Sequence, residues 1–166
     1  MIIVGLDPGY AITGYGVVEY KGNRFTVLEY GAVTTNKDTE FSKRLEQVYD
    51  GVGLLLSRFS PEAMAVEQLF FNTNSTTAIG VAEARGCALL AARKQGVEIF
   101  EYTPLQVKQS VTGYGRAEKQ QMMEMTRLLL NLEKIPRPDD AADALAVAIC
   151  HAHSAGSLLS RMKGRI

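Results

Sequence analysis

Cysteine is scarce in this chain, neither sign of charge prevails, and apolar runs stay short. The 166 residues hold two cysteines, Cys87 and Cys150. Both fall in predicted helices, far apart and without metal-ligand spacing. That fits small buried hydrophobes in a reducing compartment and excludes a disulfide framework or a zinc site. The formal net charge is +0 at pH 7, which argues against a protein that coats DNA. A localised DNA site stays open, because affinity follows where lysines and arginines cluster and not their sum. A carboxylate cluster that holds divalent ions would also have its charge largely cancelled. No stretch approaches the roughly 18 apolar residues of a membrane span. The opening Met1-Ile2-Ile3-Val4-Gly5-Leu6-Asp7 lacks a basic lead-in and reads as a first strand, not a secretion signal. The expectation is a cytoplasmic protein with no membrane partner. The two histidines, His151 and His153, stand two apart on a predicted helix. They face different ways there, so they are read as helix C-terminal residues and not as a joint metal site.

What is present is ordinary globular material: 46% of residues are hydrophobic, too many for a disordered chain. The length suits one substantial domain. Residues 2–7, 13–20 and 25–35 read as strands of an antiparallel meander, punctuated by Pro8-Gly9 and by Lys21-Gly22-Asn23. The period then turns helical over 41–58, where Leu45, Val48, Tyr49, Val52 and Leu55 recur. A strand is expected over 63–70, a helix of small residues over 75–95 and a fifth strand over 97–102. Helices follow over 104–112, 117–131 and 139–153. The order predicts an α/β fold, a five-stranded mixed sheet with helices on both faces. The first strand would be central, with the fourth beside it in parallel. Residues 1–155 would form the domain and 156–166 a basic, flexible tail.

That topology brings Asp7 and Glu67 to neighbouring strand ends. An ionised carboxylate closing an apolar strand is costly to bury unless paired or metal-bound. Asp7 alone would be read as a cap on the Pro8-Gly9 turn. Glu67 sits in Ala65-Val66-Glu67-Gln68-Leu69, where strand propensity disfavours glutamate; a solvent-facing edge strand is the plainer alternative. The last helix opens with Asp139-Asp140-Ala141-Ala142-Asp143. Asp140 and Asp143, three apart, share a face in the first turns, where the helix dipole favours anions. Asp139 and Asp143, four apart, also share one, so spacing does not choose between Asp139 and Asp140. Asp139 reads as the helix cap. Oxygen donors without a histidine or cysteine pattern suit magnesium or manganese. Two such ions about 4 Å apart can activate water and steady the leaving oxygen of a phosphodiester.

These residues resemble the RuvC family, bacterial Holliday-junction resolvases with a ribonuclease H-like fold. The likeness runs through Gly5-Leu6-Asp7-Pro8-Gly9, Thr13-Gly14-Tyr15-Gly16 and Glu67-Gln68-Leu69-Phe70. It continues in Ala84-Arg85-Gly86, Glu101-Tyr102, Gln106-Val107-Lys108-Gln109, Gly113, Ala117-Glu118-Lys119 and Asp140-Ala141-Ala142-Asp143-Ala144-Leu145-Ala146. It implies that Asp7, Glu67, Asp140 and Asp143 are the catalytic, metal-binding carboxylates, and it favours Asp140 over the extra acid Asp139. It implies two Mg2+ per site, with Mn2+ able to substitute. It further implies a homodimer that nicks two strands of a four-way DNA junction symmetrically in recombination and repair, with a RuvA–RuvB branch-migration complex as partner. The helix over 75–95 is the candidate dimer interface, and a plain sheet-packing helix the alternative.

Phe70 and Phe71 follow the glutamate strand, where exposed aromatics can stack on bases opened at a junction; at least one of the pair is expected in the core. The resemblance favours Phe70 for the DNA. Lys108, Arg116 and Lys119 gather around Gly113-Tyr114-Gly115 and are expected to position phosphates. An actin-like ATPase also ends its first strand in an acid and a glycine turn, but it needs a second comparable domain. Another ribonuclease H-like nuclease, or a junction-binding module without catalysis, are the nearer alternatives.

Overall fold

The computed structural model describes residues 1–69 and 75–155. The three-strand meander consists of β1 (Ile2–Asp7), β2 (Ile12–Lys21) and β3 (Arg24–Thr34), paired antiparallel. Between β2 and β3, Gly22 and Asn23 both take positive φ, 55° and 60°. That is the two-residue turn whose twist matches the strands it joins. Helix α1 (Phe41–Phe59) returns the chain to β4 (Ala63–Glu67), parallel to β1. Helix α2 (Ser75–Lys94) leads to β5 (Glu98–Tyr102), parallel to β4. The strand order β3-β2-β1-β4-β5 makes β1 central, as expected. Helices α3 (Pro104–Thr112), α4 (Lys119–Leu129) and α5 (Asp139–Ala155) complete the described chain.

The end of β4 and the start of α4 differ from expectation. The fourth strand ends at Glu67, so the glutamate closes the strand; the expected end at residue 70 lies outside the described residues. Helix α4 starts at Lys119, two residues later than expected, where Gln121 Oε1 accepts from the Glu118 backbone N–H across its first turn.

Strand alternation divides the core. Val4, Leu6, Val17, Met64 and Val66 pack toward α1 and α2, against Val48, Val52, Leu56, Ala84 and Ala88. Ile3, Val18 and Ala65 pack on the other face, with α3, α4 and α5. Helix α5 is enclosed: every residue from Ala141 to Ala152 is buried except Asp143. Its backbone lies close to the sheet because β1 and β2 present glycine there. A Cβ at Gly5 would collide with the Ala144 carbonyl, and one at Gly14 with the Asp140 carbonyl. Gly14 is the partner of Asp7 across β1 and β2.

His151 lies toward the C-terminal end of α5, as read, and is buried there, 3% exposed. Its Nδ1 lies 2.8 Å from the Tyr102 hydroxyl and its ring 4.4 Å from Phe100. Burial pushes its pKa down to about 4, so the ring is neutral and shares a hydrogen bond with Tyr102. The small apolar neighbours on α5 gave no hint of this, because the partner residues come from β5.

Gly5→Ala should lower stability by about 2–3 kcal/mol or more, since helix backbone cannot step aside as a side chain can. Denaturant melts should show this, with Gly53→Ala as the comparison. A Cβ at Gly53 meets only Gln95 Nε2 at 3.5 Å, so gain of helix propensity should leave that variant equal or firmer.

Candidate active site

Asp7 and Glu67 end neighbouring parallel strands one residue beyond the last paired positions, Leu6 and Val66. By strand alternation both belong to the face that α5 covers. Asp140 lies in the first turn of α5, where its carbonyl presses on Gly14, and Asp143 lies one turn further on. Three elements of the chain, remote in sequence, thus deliver four carboxylates to one end of the sheet.

Their electrostatics report the convergence. Burial, and then the charges of Asp143, Glu67 and Asp140, push the Asp7 pKa up to about 7; only Lys119 opposes. Glu67 is raised by burial and by Asp143, against Lys108. Burial also raises Asp143, with Asp139 and Asp140 adding to the effect, while Lys119 pulls it back without cancelling the rise. Carboxylates that raise one another's pKa in this way lack sufficient positive charge.

A cleft of about 240 Å³ opens beside the cluster, with Glu67, Asp143, Lys108 and Lys119 among its walls. Lys108 rides on α3, whose start is set by the Thr103–Gln106 capping box. Lys119 opens α4, and its Nζ lies 3.3 Å from Asp139 Oδ2 and 3.5 Å from Asp143 Oδ2. Two of the three expected basic contacts therefore share the cleft with the acids. Arg116 is exposed on the α3–α4 turn and is not among the cleft walls. Phe70 and Phe71 lie outside the described residues.

Asp139 and Asp140, which spacing did not separate, stand in different surroundings. Asp140 contributes to the field on both Asp7 and Asp143. Asp139 pairs instead with Arg137 and Lys119. It is also the first residue of α5, within the helix and not its cap. This Arg137–Asp139–Lys119 chain of ion pairs escaped the sequence reading. Its one signal was a basic residue two positions before the extra acid.

The donor chemistry of the four acids fits a hard divalent cation, with oxygen ligands and no histidine or cysteine. Among the described residues, no three His, Cys, Asp or Glu side chains already stand at metal-holding spacing. The acids are within one another's field, and closing them around an ion requires added positive charge.

Residues 3–151 match the family profile described as crossover junction endodeoxyribonuclease RuvC. The chain belongs to the RuvC family. A RuvC-family protein of Ruminiclostridium cellulolyticum, named crossover junction endodeoxyribonuclease RuvC, is 59% identical over 161 residues, 96% of this chain and 97% of that one. The solved Thermus thermophilus RuvC structure superposes with a TM-score of 0.88 at 38% identity, over 99% of this chain and 98% of that one. The T. thermophilus RuvC in complex with Holliday junction substrate also gives a TM-score of 0.88, at 35% identity and over the full length of both chains. The ribonuclease H-like fold and the endonuclease class expected from sequence both stand. No helix among the described residues is long and apolar enough to cross a membrane.

Opposite pH responses follow from two buried groups. The Asp7 pKa rises from 3.8 to about 7 on folding, so its stabilising contribution is present below pH 3.8 and is lost as pH climbs to about 7. His151 falls from 6.5 to about 4, so its contribution is present above pH 6.5 and is lost on acidification to about 4. Without metal at pH 8, Asp7→Asn should therefore be more stable than the parent by on the order of a few kcal/mol. Its advantage should vanish toward pH 4 in urea melts with chelator. A less stable Asp7→Asn at pH 8 would contradict the crowding of charges.

Proposed function

We propose that this chain is a structure-selective endonuclease that resolves four-way DNA junctions, cutting two strands symmetrically by phosphodiester hydrolysis. The observation that carries the reading is the joining of Asp7, Glu67, Asp140 and Asp143 at one sheet end, in a chain of the RuvC family. The four carboxylates would hold two Mg2+ ions, or Mn2+ in their place. Bound there, such ions supply Lewis acidity to the attacking water and to the leaving oxygen. Asp7 and Glu67 reach the site from the rigid centre of the sheet, so their positions are set by strand pairing. Asp140 and Asp143 come from an enclosed helix, which fixes the opposite wall. Lys108 and Lys119 line the same cleft and would hold backbone phosphates beside the acids. Phe70 and Phe71, beyond the end of β4, and Arg116 on the α3–α4 turn would complete the DNA contacts. The domain would span residues 1–155, with 156–166 as a basic tail.

Symmetric nicking requires two sites related by a two-fold axis. Helix α2 offers a surface for that pairing. Its buried alanines, Ala84, Ala88, Ala91 and Ala92, pack inward. Its outer side exposes Ile79 by 68% and Leu90 by 54%, with Ala82 and Gly86 exposed between them. Small residues between two apolar anchors let a second copy of the helix approach closely. A cytoplasmic homodimer acting with a RuvA–RuvB branch-migration complex completes the reading.

Glu67→Gln and Asp7→Asn should each lower cleavage of a synthetic four-way junction by at least about 1000-fold, roughly 4 kcal/mol of barrier. Junction binding by gel shift should remain within a few-fold of the parent. Cleavage of linear duplex or an RNA hybrid as fast as the junction would reject the substrate assignment. Ile79→Glu combined with Leu90→Glu should halve the mass seen by light scattering and abolish paired nicking. An unchanged mass would remove α2 from the interface.

A further inference from the structure

Asp139 is the acid without a place in the site just described. It adjoins Asp140, yet it is not among the charges that raise Asp7. It forms an ion pair with Arg137 on one side and with the Lys119 ammonium, 3.3 Å away, on the other. Lys119 also reaches Asp143, 3.5 Å away. One ammonium is therefore shared between an acid assigned to metal binding and an acid outside that set.

We propose that Lys119 is the built-in counter-cation of the carboxylate site, and that Asp139 is a positioning residue that keeps it at the rim when Asp143 is given over to a metal ion. The inference rests on the metal-binding reading of Asp143.

The physical case is one of charge. Four carboxylates gathered at one end of the sheet need positive charge to coexist, and within the described cluster Lys119 is the cation paired directly to one of them. A divalent cation and an ammonium cannot both stand close to one carboxylate without repelling each other. Lys119 must then give up Asp143, and its alternatives are solvent or Asp139. Arg137 holds Asp139 from the side away from Lys119, so the second anchor is itself oriented. Retained there, the ammonium stays on the cleft wall, where a phosphate of the cut strand would meet it.

Four forms of the full-length chain test this: the parent, Lys119→Met, Asp139→Asn and the double variant, each titrated with Mn2+ alone by calorimetry. All the substituted side chains are partly exposed at the ends of helices, and circular dichroism melts check that each variant folds. Lys119→Met should bind metal at least about fivefold more tightly than the parent, by removal of a competitor. Asp139→Asn should bind about threefold more weakly in the presence of Lys119 and within about 1.5-fold of its own background in the Lys119→Met chain. That loss of effect is the signature of a residue acting through another.

A penalty for Asp139→Asn of equal size in both backgrounds would mean that it acts only as a nearby negative charge, and would overturn the proposal. So would an unchanged or weaker metal affinity in Lys119→Met. Lys108→Met serves as the control for long-range charge, because Lys108 affects Glu67 without an ion pair to it. Tightening there as large as in Lys119→Met would also overturn the proposal. Absence of metal binding in all four chains would instead reject the metal-binding reading itself.

Discussion

The closeness of α5 to the sheet is the constraint on which the rest of this molecule depends. Gly5 and Gly14 remove the side chains that would hold the helix off, and the carbonyls of Ala144 and Asp140 occupy that room. An ordinary helix-on-sheet distance would carry Asp140 and Asp143 away from Asp7 and Glu67. The enclosed character of α5 follows from the same closeness. A helix buried on nearly all sides must be small and apolar, as the run from Ala141 to Ala152 is, with the single partly exposed residue being an acid. Packing and chemistry are thus one arrangement, and the glycines are as much part of the site as the carboxylates.

The energetic consequence is a site under tension. Buried carboxylates in one another's field favour protonation, and the pKa of Asp7 near neutrality records it. Stability is surrendered locally to gather negative charge at one end of the sheet. His151 contributes an opposite pH response on the far part of the same helix, where Tyr102 and Phe100 surround the neutral ring. Residues around α5 therefore respond to acid in two senses, which tends to flatten the dependence of the fold on pH between those values.

Family membership and site geometry inform different levels of the conclusion. The matches cover nearly the whole chain and set the fold and the endonuclease class. They say nothing of what Asp139 does beside Asp140. Side-chain geometry does: it separates an acid that shares the field of Asp7 from one that faces Arg137 and Lys119.

Much was legible from sequence because the signals were local and periodic. Alternation in β1 and β2, the change of period at α1 and the Pro-Asp-Asp opening of α5 specify elements, and their order restricts the topology to a mixed sheet with β1 central. Glu67 stood out as a charge in a buried strand, and Asp143 as an acid in a run of alanines. The end of β4 at Glu67 and the burial of His151 were not legible, since each depends on partners elsewhere in the chain. The same holds for the different surroundings of Asp139 and Asp140. Sequence alone determined which acids stand on which elements, because local propensity and hydrophobic period are written in neighbouring residues. Only the tertiary structure decided which of those acids meet, because a carboxylate's neighbours in space are set by how closely a helix and a sheet can pack.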